Sequence, residues 1–142
     1  MSLSIYTDGG SRGNPGRAAC SFIIKSSRNI VRTSGRLLGI TTNNVAEYSG
    51  LILALQELVS LFPSFHPQPK SVVCFSDSEL MVKQLNGLYR LKNKKLVPLF
   101  SEVKKLESLL PTKIFYKHVP REENKEADAL VNKLLTAGPS LA

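Results

Sequence analysis

Tryptophan is absent from the 142 residues, and cysteine, histidine and methionine occur only twice each. The two cysteines, Cys20 and Cys74, lie far apart in apolar, strand-like runs, which argues against a disulfide framework and for free buried thiols. No cysteine–histidine cluster has the spacing of a zinc site, and no serine–histidine–aspartate arrangement is visible. No apolar run approaches the roughly 18 residues that cross a bilayer. Residues Met1 to Tyr6 lack the basic stretch and apolar core of a secretory signal. The expectation is a soluble, cytoplasmic protein with no membrane partner.

Aspartate is scarce as well. Only Asp8, Asp77 and Asp128 occur, each beside apolar or small residues rather than in a charged run. The chain is otherwise basic, with a net charge of +8 and a pI near 9.7. Such a field attracts phosphates and raises encounter rates, so a polyanionic partner is expected, although charge alone identifies none. Acids that are rare in a basic protein, yet set among core-like residues, need a chemical reason. The length suits one domain, expected over residues 1–137 with a frayed tail at 138–142. Nothing demands more than a monomer.

Leu3 to Thr7 alternates apolar and polar residues and predicts a strand ended by Asp8-Gly9-Gly10. Ser11 to Gly16 is turn-rich. Ala18 to Lys25 and Ile30 to Leu38 predict a hairpin around Ser26–Asn29, with a connection from Gly39 to Asn43. A helix capped by Asn43 or Asn44 should run to Leu61, with Leu51, Leu55, Leu58 and Phe62 at helical spacing. The apolar run Val72-Val73-Cys74-Phe75 predicts a fully buried strand. Helices over 79–86 and 96–110, a strand over 114–119 and a helix over 124–135 complete the order. Three antiparallel strands followed by two strand–helix units imply an α/β fold, a five-stranded mixed sheet with helices on its faces.

Asp8 and Asp77 each end a predicted strand. If those strands are parallel neighbours, both carboxylates emerge at one sheet edge, where open α/β sheets bind ligands. Glu47 shares the apolar face of its helix with Leu51, Ala54 and Leu58, and Asp128 shares a face with Val131 and Leu135. Buried carboxylates need protonation, a cationic partner or a metal. Taken singly, Glu47 could serve the helix dipole and Asp8 a turn. Together, with no cysteine or histidine among them, the four define a hard-oxygen site suited to magnesium or manganese.

The stretch from Tyr6 to Gly16, TDGGSRGNPG after the tyrosine, resembles the opening motif of type 1 ribonuclease H. Thr42–Tyr48 (TNNVAEY), Phe75–Leu80 (FSDSEL) and Asn124–Leu130 (NKEADAL) resemble the family's second, third and fourth motifs. The resemblance implies a ribonuclease H-like fold and endonucleolytic hydrolysis of the RNA strand of an RNA–DNA hybrid. It implies Asp8, Glu47, Asp77 and Asp128 as ligands of two Mg2+ ions, with Mn2+ as a substitute, and products with 5′-phosphate and 3′-hydroxyl ends. It implies substrate contacts at Gly9, Gly10, Ser11, Asn14, Thr42, Asn43 and Asn44, with helix capping the alternative for the last two. Double-stranded RNA is a second candidate substrate.

His118 matches a histidine that assists proton transfer or product release in the family; a surface or packing role is the alternative. His66, in the proline-rich loop, has no such match. Two departures stand out. Glu79 follows Asp77-Ser78 where some bacterial members carry glutamine, and the segment from Leu88 to Pro98 lacks the tryptophan of a basic substrate-gripping protrusion. Arg90, Lys92, Lys94 and Lys95 leave a modest basic cluster there, equally readable as a solvated loop. A non-catalytic binding domain gains nothing from four acids facing phosphates. A DNA strand-transfer or exonuclease relative would not need the glycine-rich first motif and the Thr42-Asn43-Asn44 motif.

Overall fold

The computed structural model describes residues 2–137, so the expected tail at 138–142 lies outside the described residues. Five strands, β1 (Ser2–Gly13), β2 (Gly16–Ser26), β3 (Asn29–Thr41), β4 (Ser71–Ser76) and β5 (Lys113–His118), form one sheet in the order β3-β2-β1-β4-β5. The first three are antiparallel, while β4 joins β1, and β5 joins β4, in parallel. This is the mixed sheet that the element order predicts. The helices are α1 (Asn43–Leu61), α2 (Glu79–Leu85), α3 (Val97–Ser108) and α4 (Lys125–Ala137).

Asp8 does not end its strand. β1 continues through Asp8, Gly9 and Gly10 to Gly13, because β2 pairs with it over that whole length, from Leu3↔Ser26 to Gly13↔Gly16. The parallel neighbour stops earlier, at Tyr6↔Phe75. Asp8 therefore stands where β4 leaves β1's side, and an edge is created by the partner's end rather than by a turn. The connection expected from Gly39 is likewise strand, because β3 stays paired with β2 to Thr41.

Successive side chains on a strand face opposite sides. Cys20, Phe22 and Ile24 of β2 face α1, and Phe22 and Ile24 join Leu3, Ile5, Leu51, Leu55, Leu58 and Val72 in the main core. Each such leucine contributes about 1.5–3 kcal/mol on full burial. Ala19 and Ser21 face the other way and meet α4: Ala19 packs with Val131 and Leu135, and Ser21 Oγ donates to the Ala127 carbonyl at 2.7 Å. β4 is buried only at alternate residues, Val72, Cys74 and Ser76, so the expectation of a fully buried strand holds for one face. Both cysteines are free and buried, as expected.

The segment Asn43–Ser64, mean hydropathy 1.4, is long and apolar enough to cross a membrane by length and composition, contrary to the reading of the sequence. Half of it is buried inside the fold, with Leu51, Ala54, Leu55 and Leu58 at or below 1% exposure, as expected of a core helix.

Candidate active site

Each acid reaches the end of β4 from a different element. Asp8 projects from β1 on the α4 side, directly opposite Ser21. Asp77 follows the last residue of β4. Glu47 enters from α1 on the other face, and Asp128 from the first turn of α4. Ligand oxygens of Asp8, Glu47 and Asp77 all lie within 4.8 Å of one another. Asp128 adjoins that trio and shares a hydrogen bond with Asp8. Asp8 and Glu47 are only 4% and 7% exposed.

Glycine makes the approach of α1 possible. A Cβ on Gly9 would stand 2.2 Å from the Ala46 carbonyl carbon and 2.4 Å from Glu47 N, inside the backbone of the helix. A Cβ on Gly50 would meet the Asp8 carbonyl oxygen at 2.7 Å. The helix that carries Glu47 thus lies against the strand that carries Asp8 with no side chain between them.

On the other face α4 is fastened at both ends. Asn124, 2% exposed, donates from Nδ2 to the Thr7 carbonyl at 2.9 Å, and its own carbonyl accepts from Asp128 N at 3.1 Å. Its side chain also bonds to the Asp77 carboxylate. Arg17 Nη2 donates to the Leu135 carbonyl at 3.1 Å. Asn132 Nδ2 donates to Asp128 Oδ2 at 3.4 Å.

The electrostatics follow from this crowding. Burial, then the charges of Asp77 and Asp128, push the Asp8 carboxyl up to about 7. Burial, then Asp8 and Asp77, raise Glu47 well above its ordinary value. Asp77 is raised by burial, although its bond to Asn124 and the charge of Arg121 act against the rise. Glu47 Oε1 and Asp77 Oδ2 are buried with no hydrogen-bond partner. Buried carboxylate oxygens without donors are costly unless a cation meets them. An all-oxygen set of this kind fits a hard divalent cation such as magnesium.

The asparagines do other work than capping. Thr42 is the N-cap of α1, its Oγ1 accepting from Val45 N at 3.3 Å, in place of the expected Asn43 or Asn44. Asn43 Oδ1 instead accepts from Ser11 N at 2.8 Å and Ser11 Oγ at 3.0 Å. Asn14 Oδ1 accepts from Asn43 N at 3.1 Å. The β1–β2 hairpin tip is thereby tied to the start of α1.

An open cleft of about 360 Å³ contains all four acids. Gly9, Gly10 and Ser11 line it from β1, and Asn43 and Asn44 from α1. Asn14 and Thr42 support this wall through the bonds just described. His118 is exposed at the end of β5, in register with Ser76; it acts on Asp77 through charge but does not line the cleft. The cations that line it are Arg12 and Arg121. Neither was singled out from the sequence, nor was Asn124 beyond its place in the fourth motif. Only their positions beside a folded cleft distinguish them. Glu79 is exposed and lies 3.4 Å from Lys83. Arg90, Lys92, Lys94 and Lys95 are exposed in the segment between α2 and α3.

Four carboxylates from four elements thus converge where β4 leaves the side of β1, on a sheet with the strand order of the ribonuclease H fold. The Reverse transcriptase-like family model matches residues 6–134. Ribonuclease HI of Halobacterium salinarum is 37% identical over 141 residues, covering 92% of this chain and 62% of that protein. The bifunctional protein Rv2228c of Mycobacterium tuberculosis is 35% identical over the whole chain, which spans 38% of its length. Among solved structures, LC11-RNase H1 in complex with an RNA/DNA hybrid superposes with a TM-score of 0.90 at 36% identity, covering 99% of both chains. The chain belongs to the Reverse transcriptase-like family, and within it to the type 1 ribonucleases H. It spans under two thirds of the curated relatives named here.

Proposed function

We propose that the domain formed by residues 1–137 hydrolyses the RNA strand of RNA–DNA hybrids endonucleolytically. The observation that carries this reading is the group of converging carboxylates whose buried oxygens, Glu47 Oε1 and Asp77 Oδ2, lack partners. LC11-RNase H1, similar over nearly its whole length, was crystallised with such a hybrid.

In this proposal Asp8, Glu47, Asp77 and Asp128 hold two Mg2+ ions, with Mn2+ able to replace them. When bound, the pair supplies the charge that activates the attacking water and stabilises the leaving 3′-oxygen, giving 5′-phosphate and 3′-hydroxyl ends. The chain's own residues set the geometry. Gly9 and Gly50 keep Glu47 against Asp8, and Asn124 ties Asp77 and Asp128 to Thr7 of β1. Gly9, Gly10, Ser11, Asn14, Thr42, Asn43 and Asn44 form the wall that receives the duplex. With their oxygens engaged, Asn14 and Asn43 offer amide N–H donors to the strand. A donor wall of this kind recognises 2′-hydroxyls, which distinguish RNA from DNA at the cut. His118 assists proton transfer or product release from the rim. Double-stranded RNA is the second candidate substrate, and the acting form is a monomer located in the cytoplasm.

Incubation with labelled hybrid, duplex RNA, duplex DNA and single-stranded RNA, with and without magnesium, tests the proposal. Metal-dependent cutting of the hybrid's RNA strand is expected. Equal cutting of the all-DNA duplex, or full activity in excess EDTA, would overturn it.

A further inference from the structure

The two faces of the sheet are covered unequally. On the face opposite α1, α4 lies over β3, β2 and β1, and the side chains that β4 and β5 turn to that face stay half-buried or exposed. Tyr6 of β1 stands in register with Phe75 of β4, their rings stacked with centroids 4.9 Å apart. Phe75 in turn pairs with Lys117 of β5, and Val73 with Phe115, which is 41% exposed. Lysines stand over the rings: Lys25 Nζ lies 5.4 Å from the Tyr6 centroid and Lys113 Nζ 5.1 Å from that of Phe115. Lys25 is paired with Glu126, but among the described residues neither Lys113 nor Lys117 has a carboxylate within ion-pair distance. This face is distinct from the acidic cleft. The 3₁₀ turn Arg121–Glu123 lies between them: Arg121 lines the cleft, whereas Glu122 and Glu123 line a groove of about 340 Å³ with Tyr6 and Lys25.

We propose that this face is a stacking platform for single-stranded nucleic acid, the unpaired flank of the hybrid that the cleft receives; in naming that flank the inference rests on the proposed function. Every base has a flat π face, so aromatic side chains on a sheet hold single strands with little sequence preference while nearby cations meet the phosphates. Phe115 offers the most open ring, with Lys113 and Lys117 about 13 Å apart on either side of it along β5. A base that stacks on Phe115 displaces Lys113 from the ring and frees its ammonium for the adjoining phosphate. Glu122 and Glu123 wall the opposite side and repel phosphates, which confines the strand to β4 and β5. The net charge of +8 favours a polyanion. An acidic protein would meet the same lysines, but an exposed flat ring set between two cations matches the alternation of base and phosphate.

The test is fluorescence anisotropy with a labelled deoxythymidine decamer in EDTA at several salt concentrations, with and without an unlabelled blunt hybrid. The decamer should bind the wild type and stay bound when the hybrid fills the cleft. Phe115→Ala should weaken it about fivefold or more, the loss of one base–aromatic stack, with the salt dependence unchanged. Phe115→Tyr should bind as the wild type does. Lys113→Ala and Lys117→Ala should each lower the slope of log affinity against log salt by about 0.7. Leu109→Ala, at an exposed leucine ending α3 on the other side of the sheet, should change neither quantity. Cleavage of the blunt hybrid in magnesium should be equal in wild type and Phe115→Ala. Melting curves check that each variant is folded. A decamer that fails to bind, that the hybrid displaces fully, or that binds Phe115→Ala undiminished overturns the platform; the first of these results leaves the face to a protein partner. Wild-type protein that binds the decamer but neither binds nor cuts the hybrid overturns the proposed function, and with it the hybrid flank, but not single-strand binding by this face.

Discussion

Replacing Asp8 by asparagine should stabilise the metal-free protein while abolishing its activity. In the folded chain burial and the neighbouring acids push the Asp8 carboxyl from 3.8 to about 7. The native state therefore binds more protons than the unfolded state between those values. Stability contributed by the protonated form is fully present below about pH 4, and is lost as pH rises through about 7. At 1.36 kcal/mol per pKa unit the interval corresponds to about 4 kcal/mol. Glu47 shares in the same titration, so the gain from removing one charge should be smaller, on the order of 1–3 kcal/mol. Asparagine has nearly the same shape, and its Nδ2 can donate to the acids that crowd it. For a domain of this size each kcal/mol moves the melting temperature by roughly 3 °C. Asp8→Asn should then melt roughly 3–9 °C above wild type at pH 8 in EDTA, and the difference should shrink toward pH 4.5. Magnesium should raise the wild-type melting temperature at pH 8, since binding to the native state alone adds stability, and should raise that of the variant less. Thermal melts followed by circular dichroism across this pH range decide the matter. A wild-type profile that is flat between pH 5 and 8, with a variant that melts lower at pH 8, would refute the electrostatic account of the site.

Asp77→Asn and Glu47→Gln should each reduce turnover by more than about a thousandfold, the upper scale for losing one preorganised electrostatic group, with circular dichroism unchanged. Chelation should stop cleavage without unfolding the protein, which a paired activity assay and thermal melt will show. Because raised carboxyls must shed protons to bind a cation, calcium binding by calorimetry at pH 6 should release protons, and affinity should rise toward pH 8. Gly9→Ala should destabilise the fold by about 1–3 kcal/mol or more, as its Cβ would enter the α1 backbone; a melt within 1 °C of wild type would contradict this, at roughly 3 °C per kcal/mol. A DNA duplex with a short ribonucleotide stretch should be cut within that stretch, leaving 5′-phosphate ends detectable by end-labelling.

Much of this was legible in the residues because periodicity and turn chemistry are local. The apolar runs at 18–25 and 72–75 and the spacing of Leu51, Leu55 and Leu58 place β2, β4 and α1 closely. The four-acid set could be singled out because an acid on an apolar face has few bland explanations. Which residue caps α1 was not legible, since Thr42, Asn43 and Asn44 are all good caps and only the contact with Ser11 and Asn14 takes Asn43 away from that role. The length of β1 was also hidden: Gly9-Gly10 looks like a terminator until β2 is paired beside it.

The sequence by itself determined the element order, the hard-oxygen character of the acids and the basic field that surrounds them, all consequences of residue type and short-range spacing. Only the tertiary structure decided which groups share one volume. The parallel join of β1 and β4 pairs residues 69 apart in the chain, from Ser2↔Ser71 to Tyr6↔Phe75, the same separation as that of Asp8 and Asp77. Asn124 reaches Thr7 across 117 residues, and Arg12 reaches Thr136 across 124. No local pattern encodes such separations. They follow from the burial of two sheet faces by α1 and α4, which brings distant side chains together once the core has closed.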